Sequence, residues 1–212
     1  RLCVFPCSRR KTKTDARENA KPEYSPRLTA FAKRVGIRRD CYKQLRGRNF
    51  KQDESGRWCV EVMKGKGGKY HLQPVPEKDV EFIRAYFDGV KPNQFVFTKE
   101  EMSNNIDLHA MRGDVAKERY ADLVNEFKIG GEAARLKVYK EICARFEMFN
   151  KRDAPPTYEE LTKPYIVRGL NKKRAIDKGY PVEYDRLALL AVSVFYLSHW
   201  RVDVAVSNYL LA

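Results

Sequence analysis

Six residues of this chain carry side chains suited to work on a phosphate group, and each sits in a short, distinctive context. Arg38 follows a helix-ending glycine in "GIRRD", and Lys66 stands in the glycine-rich turn "KGKGGKY". His109 and Arg112 share "LHAMR", while His199 and Tyr209 close the chain in "FYLSHWRVDVAVSNYLLA". A guanidinium presents a planar fork of donors that matches phosphate oxygens. A lysine on a turn can reach a phosphate or a leaving oxygen. A tyrosine hydroxyl becomes a nucleophile once neighbouring cations favour its ionised form. None of these signals decides anything alone, because H-x-x-R is common on surface helices and paired arginines are usually solvated. The turn is not a Walker A loop, since the G-x-x-x-x-G-K-[ST] spacing and the hydroxyl after the lysine are absent.

The elements that must position these groups can be read from periodicity and caps. Asp107 is a good N-cap for a long helix beginning "LHAMRGDVAKERYADLVNEFK". On it His109 and Arg112 face the same way in the first turns, where the helix dipole and free N–H groups favour an anion. Tyr209 comes ten residues after His199. On one continuous helix the two would be about 15 Å apart along the axis, too far to act on one atom. Asp203 offers a second N-cap, which predicts a break at Trp200–Val202 and a new short helix folding Tyr209 back toward His199. "RWCVEVM" and "KYHLQPV" alternate as two strands of a hairpin around the lysine turn, with His71 on the return strand read as structural. Helical spacing also marks "RLTAFAKRV", "RRDCYKQLRG", "EKDVEFIRAYFDG" after Pro76, and the apolar run from Asp185 to Leu197. The fold class expected is mainly α with a small antiparallel hairpin or sheet, an α+β arrangement.

Composition bounds the partners. The 212 residues carry 42 Lys+Arg against 28 Asp+Glu, a formal charge of +14. Such an excess points to a polyanion, because released counterions drive cationic surfaces onto phosphate backbones. With 43% hydrophobic residues the chain can bury a real core. Its five cysteines are odd in number and form no C-x-x-C pair, which disfavours zinc and suggests reduced, mostly buried thiols. The longest apolar stretch, Leu187 to Leu197, is too short to span a bilayer, so no membrane association is expected. Residues 1–24 are basic and polar without apolar period and read as a linker or the end of an upstream segment. The first residue is Arg, so the chain is expected to be a piece of a longer protein. Residues 25–212 are expected to form one domain, interrupted by a charged insertion, punctuated by Pro and Gly, at about 130–184.

Taken in order, the boxes around Arg38, Lys66, His109 with Arg112, His199 and Tyr209 resemble the catalytic domain of the tyrosine recombinases, particularly the integrases of phages and conjugative transposons. The resemblance covers roughly residues 25–129 and 185–212. It implies a recombinase-like fold with a helical insertion, and site-specific cleavage and rejoining of double-stranded DNA through a covalent 3′-phosphotyrosine on Tyr209. Arg38 and Arg112 would bind the non-bridging oxygens and Lys66 would protonate the departing 5′-oxygen. His109 would assist proton transfer at the tyrosine, and His199 would donate to the phosphate. It further implies no cofactor and no metal, assembly with other subunits on DNA as a tetramer, and a bacterial cytoplasmic, nucleoid-associated location. The family's N-terminal DNA-clamping domain has no counterpart in this chain. Rival readings are a noncatalytic DNA-binding relative, a type IB topoisomerase and a basic RNA-binding protein. Two positions depart from the family pattern. Ser198 replaces the glycine usual before His199, and Cys41 replaces a Glu usual three residues after the first arginine.

Overall fold

The computed structural model describes residues 25–63, 70–102, 106–150 and 153–211. The basic segment 1–24 and the turn carrying Lys66 lie outside the described residues. The first half begins with helix α1 (Pro26–Ala32), which has Pro at its start as helix N-termini favour, and the single turn α2 (Arg39–Tyr42). Three antiparallel strands follow in spatial order: β1 (Phe50–Gln52), β2 (Trp58–Val62) and β3 (His71–Pro74). The expected hairpin is therefore present, with β1 as a third strand that the short "FKQ" run gave too little alternation to reveal. Helices α3 (Glu77–Arg84) and α4 (Lys99–Met102) complete this half. Its core gathers Phe31, Tyr42, Ile83 and Phe97, with Phe31 meeting Tyr42 and Phe97 edge-on.

Helix α5 (Leu108–Phe149) joins the two halves. Asp107 caps it as expected, its carboxylate accepting from Ala110 N at 2.9 Å. The helix is interrupted at Gly131, whose φ of 57° and ψ of −143° leave the helical region, a conformation open to glycine. Arg119 on α5 is buried and bonded to Asp79 of α3 at 3.2 Å, and Asp79 also holds Arg34 beyond α1 at 3.3 Å. A shared carboxylate thus ties α3 and α5 to the turn after α1, and removing one partner would strand a buried charge.

Beyond α5 come α6 (Tyr158–Thr162), strand β4 (Tyr165–Ile166), α7 (Gly169–Asp177) and strand β5 (Glu183–Tyr184), with β4 and β5 paired antiparallel. Residues of the segment read as an insertion contribute to the core. Val138, Ile142, Phe146 and Leu161 pack with Leu187 and Leu190 of α8 (Arg186–Val192). Its second half of α5 also braces the sheet, since Arg145 donates to Leu72 O at 2.7 Å and Glu141 pairs with Arg57 at 2.5 Å.

Helix α8 is capped by Asp185, which accepts from Ala188 N at 2.9 Å, and widens into a π-type turn over Ser193–Leu197. The last helix, α9 (Val202–Ala205), widens likewise over Val206–Leu210. The expected break before Tyr209 exists, but it begins two residues earlier, at Ser198, and has a different cap. Ser198 already leaves the helix, Arg201 occupies the cap position, and Asp203 lies inside the first turn, bridging back to Arg201 at 2.6 Å. The stretch 186–197 and the stretch 202–210 meet at 77°. Among the described residues, no single helix is long and apolar enough to cross a membrane.

Candidate active site

The terminal corner determines where Tyr209 points, and a buried serine builds it. Ser193 Oγ donates to Arg201 O at 2.8 Å and accepts from Arg201 N at 3.1 Å, and the Ser193 carbonyl accepts from His199 N at 3.0 Å. This tightness forces Ser198 and Trp200 into positive φ, 51° and 61°. Trp200 is anchored edge-on against Phe146 with ring centroids 4.9 Å apart. The reversal returns Tyr209 to the histidine that preceded it.

His199 Nε2 lies 3.0 Å from the Tyr209 hydroxyl and 3.3 Å from Arg38 Nη2. A guanidinium can only donate, so the contact with Arg38 is favourable when Nε2 carries a lone pair. In that tautomer the phenol O–H shares the single Nε2 lone pair with Arg38. Arg112 Nε donates to the same phenol oxygen at 3.3 Å. The hydroxyl is thus polarised from both sides: an arginine steadies its oxygen and an imidazole draws on its proton.

Arg112 is buried, and its other nitrogens serve the scaffold. Nη2 donates to Leu197 O at 2.6 Å, and Nη1 donates to Gly36 O. It therefore ties the segment before Arg38 to the segment before His199. Glycine at 36 permits this approach, because an added Cβ would lie 3.1 Å from both Arg112 Cα and Val115 Cβ. His109, exposed one turn earlier on α5, places its ring 5.3 Å from the Tyr209 ring. Five of the six candidates, Arg38, His109, Arg112, His199 and Tyr209, are therefore brought together; Lys66 lies outside the described residues.

The electrostatics are one-sided. Burial first, and then the neighbouring Arg112, push Arg38 down from the usual arginine value. Cys41, beside Arg38, offers no counter-charge, because burial pushes its thiol up. Among the described residues neither Arg38 nor Arg112 pairs with a carboxylate. Arg39, the other member of the arginine pair, turns away and holds the backbone carbonyls of Met102 at 3.3 Å and Ile106 at 2.5 Å, fixing the entry to α5. Among the described residues no group of three or more His, Cys, Asp or Glu is placed to hold a metal ion.

Two further side chains belong to this neighbourhood. His71 and Gln73 alternate along β3 and are both buried. With its amide turned to satisfy both ends, Gln73 accepts from Gly36 N and donates to Tyr196 O, each at 3.3 Å. It joins the same two segments that Arg112 joins. Burial, reinforced by the charges of Arg112, Arg145, Arg38 and His199, pushes His71 down to about 3. The signal was in the sequence: "HLQP" puts polar residues two apart on the strand, where a core face would carry apolar ones.

No protein-family model, curated protein or solved structure matches this chain.

Proposed function

We propose that this chain cleaves and rejoins DNA strands as a site-specific recombinase of the integrase type, acting through a covalent tyrosine–phosphate link. The observation that carries the reading is the meeting of Arg112 and His199 at the Tyr209 hydroxyl, with Arg38 bonded to the same His199 Nε2, the two arginines coming from segments far from Tyr209 in sequence. Cations gathered without a carboxylate favour an anionic ligand, and a phosphodiester brings the charge that the cluster lacks.

In the proposed reaction the Tyr209 oxygen attacks a backbone phosphorus, its proton passing to His199 Nε2. The bond from phosphorus to the 5′-oxygen breaks, leaving a 3′-phosphotyrosine and a free 5′-hydroxyl. Lys66 is assigned the proton for that departing oxygen. Arg38 and the remaining N–H groups of Arg112 stabilise charge on the non-bridging oxygens as it grows. His109 flanks the phenol and keeps the role of assisting acid or base. A partner strand's 5′-hydroxyl then reverses the step, because the phosphotyrosine retains the energy of the broken bond. The full reaction joins strands held by several subunits on double-stranded DNA.

The test is trapping on a nicked duplex that loses its 5′-end after cleavage. The protein should migrate with labelled DNA after denaturation, and Tyr209→Phe should not.

A further inference from the structure

Around α7 the cations have no carboxylate partners among the described residues; Lys178 alone lies over a ring, that of Tyr180 at 6.0 Å. Arg168, Lys172, Lys173, Arg174 and Lys178 are all exposed, and Asp177 is the one acid in that stretch. None of the five belongs to an ion pair among the described residues, whereas Arg34, Arg57, Arg119 and Arg135 each hold a carboxylate. At about 100° per residue, the buried Ala175 marks the inner side of the helix. Lys173 then projects almost directly outward, with Lys172 and Arg174 on its two flanks.

The helix is held in place despite this repulsion. Val167 and Ala175 pack with Leu189, Val206 and Leu210. Val206 and Leu210 belong to the terminal segment that carries Tyr209, so the basic helix packs against the nucleophile's own support. The exposed apolar residues Leu170 and Ile176 lie about a third of a turn apart and form no continuous stripe. A membrane surface would need one.

We propose that α7 is a second contact for the backbone of duplex DNA, outside the cleavage site. The choice of DNA as the polyanion rests on the function proposed above; the surface itself does not. Its cations neutralise phosphates and add to binding without reading sequence. The rigid connection through Val206 and Leu210 makes the same contact hold the terminal segment in register with the strand being cut.

The test uses Tyr209→Phe protein, so that covalent capture cannot distort equilibrium binding. Anisotropy with a labelled duplex over a salt series gives the slope of log affinity against log salt. The triple change Lys172→Gln, Lys173→Gln and Arg174→Gln should flatten that slope by about two to three units and weaken binding more than tenfold at physiological salt. Lys173→Glu alone should act in the same direction. The control triple Lys128→Gln, Lys137→Gln and Lys140→Gln removes equal charge from α5 and should leave the slope within about half a unit. Equal losses in both triples, or none in the α7 triple, overturn the proposal. So does an unchanged slope with lost subunit assembly on DNA, which would give the surface to a neighbouring subunit. Failure of the recombinase reading looks different: slope loss at α7 persists while wild-type protein forms no covalent adduct.

Discussion

The Nε2 of His199 lies 3.0 Å from the Tyr209 hydroxyl, although the two residues occupy helical stretches that meet at 77°. Ten residues of continuous helix would have kept them apart, so the corner between them is what makes the contact. The imidazole also receives Arg38, and the phenol also receives Arg112, so four side chains form one chain of donors and acceptors.

The two arginines should separate in experiment. Arg112 binds two backbone carbonyls as well as the phenol, whereas Arg38 is bonded to His199 alone among the contacts described above. Arg112→Ala should therefore lower folding stability by about 2–3 kcal/mol in urea denaturation, because buried carbonyls lose a charged donor. Arg38→Ala should change stability by less than about 1 kcal/mol. Both should reduce cleavage far more than DNA affinity, since other cations still hold the backbone. Affinity falling in step with cleavage would remove the arginines from the chemistry.

Ser198 carries strain that a glycine would not. At φ 51° and ψ 40° it occupies the left-handed region, which costs a residue with a side chain about 1–2 kcal/mol. Ser198→Gly should raise the melting temperature, with the gain reduced by the extra chain entropy glycine brings to the unfolded state. A lower melting temperature would mean that the serine hydroxyl contributes more than the strain removes.

Gln73 should behave as a positioning residue. Gln73→Val deletes the bridge between Gly36 N and Tyr196 O, leaving two buried backbone groups short of a partner at about 1–3 kcal/mol in total stability. Cleavage should slow by roughly tenfold at saturating DNA while the dissociation constant stays put, because the bridge sets the spacing of Arg38 and His199 rather than touching the substrate. An unchanged rate together with unchanged stability would show that the amide bridges nothing.

His71 links stability to pH. Its folded value is pushed down to about 3, while an unfolded histidine titrates near 6.5. Between these values the unfolded chain binds the extra proton, so stability falls as pH drops from about 6.5 toward 3 and is unaffected above that window. At pH 5 the loss from this residue should be about 2 kcal/mol. His71→Gln should flatten the stability curve between pH 7 and 5 by that amount in denaturant titrations. Parallel curves would mean that the imidazole is already charged in the native protein.

Local signals in the sequence reached far because caps and alternation are local physics. Asp107 announced its helix, the apolar run from Asp185 to Leu197 announced α8, and the alternating runs announced β2 and β3. The coarse α+β class followed from these. The corner begins at Ser198, two residues before the break that Asp203 predicts, because its determinant, the Ser193 hydroxyl clasping Arg201, is a non-periodic contact across eight residues. The role of residues 130–184 was illegible for a related reason. Val138, Ile142 and Phe146 lie in a charged stretch of helical spacing, and their burial depends on α8, which follows only after the proline-punctuated text. The strand "HLQP" shows that Gln73 shares a face with His71, but the groups it bridges, Gly36 N and Tyr196 O, are distant in sequence and carry no local signal.

The most direct test of the central claim is mass spectrometry of the protein–DNA adduct formed on a duplex containing a recombination site, with the linked peptide and the freed DNA end both identified. The account predicts a nucleotide attached through its 3′-phosphate to Tyr209 and a free 5′-hydroxyl on the other side of the break. Attachment to any other residue, a 5′-phosphate link, or DNA cut without an adduct would contradict it.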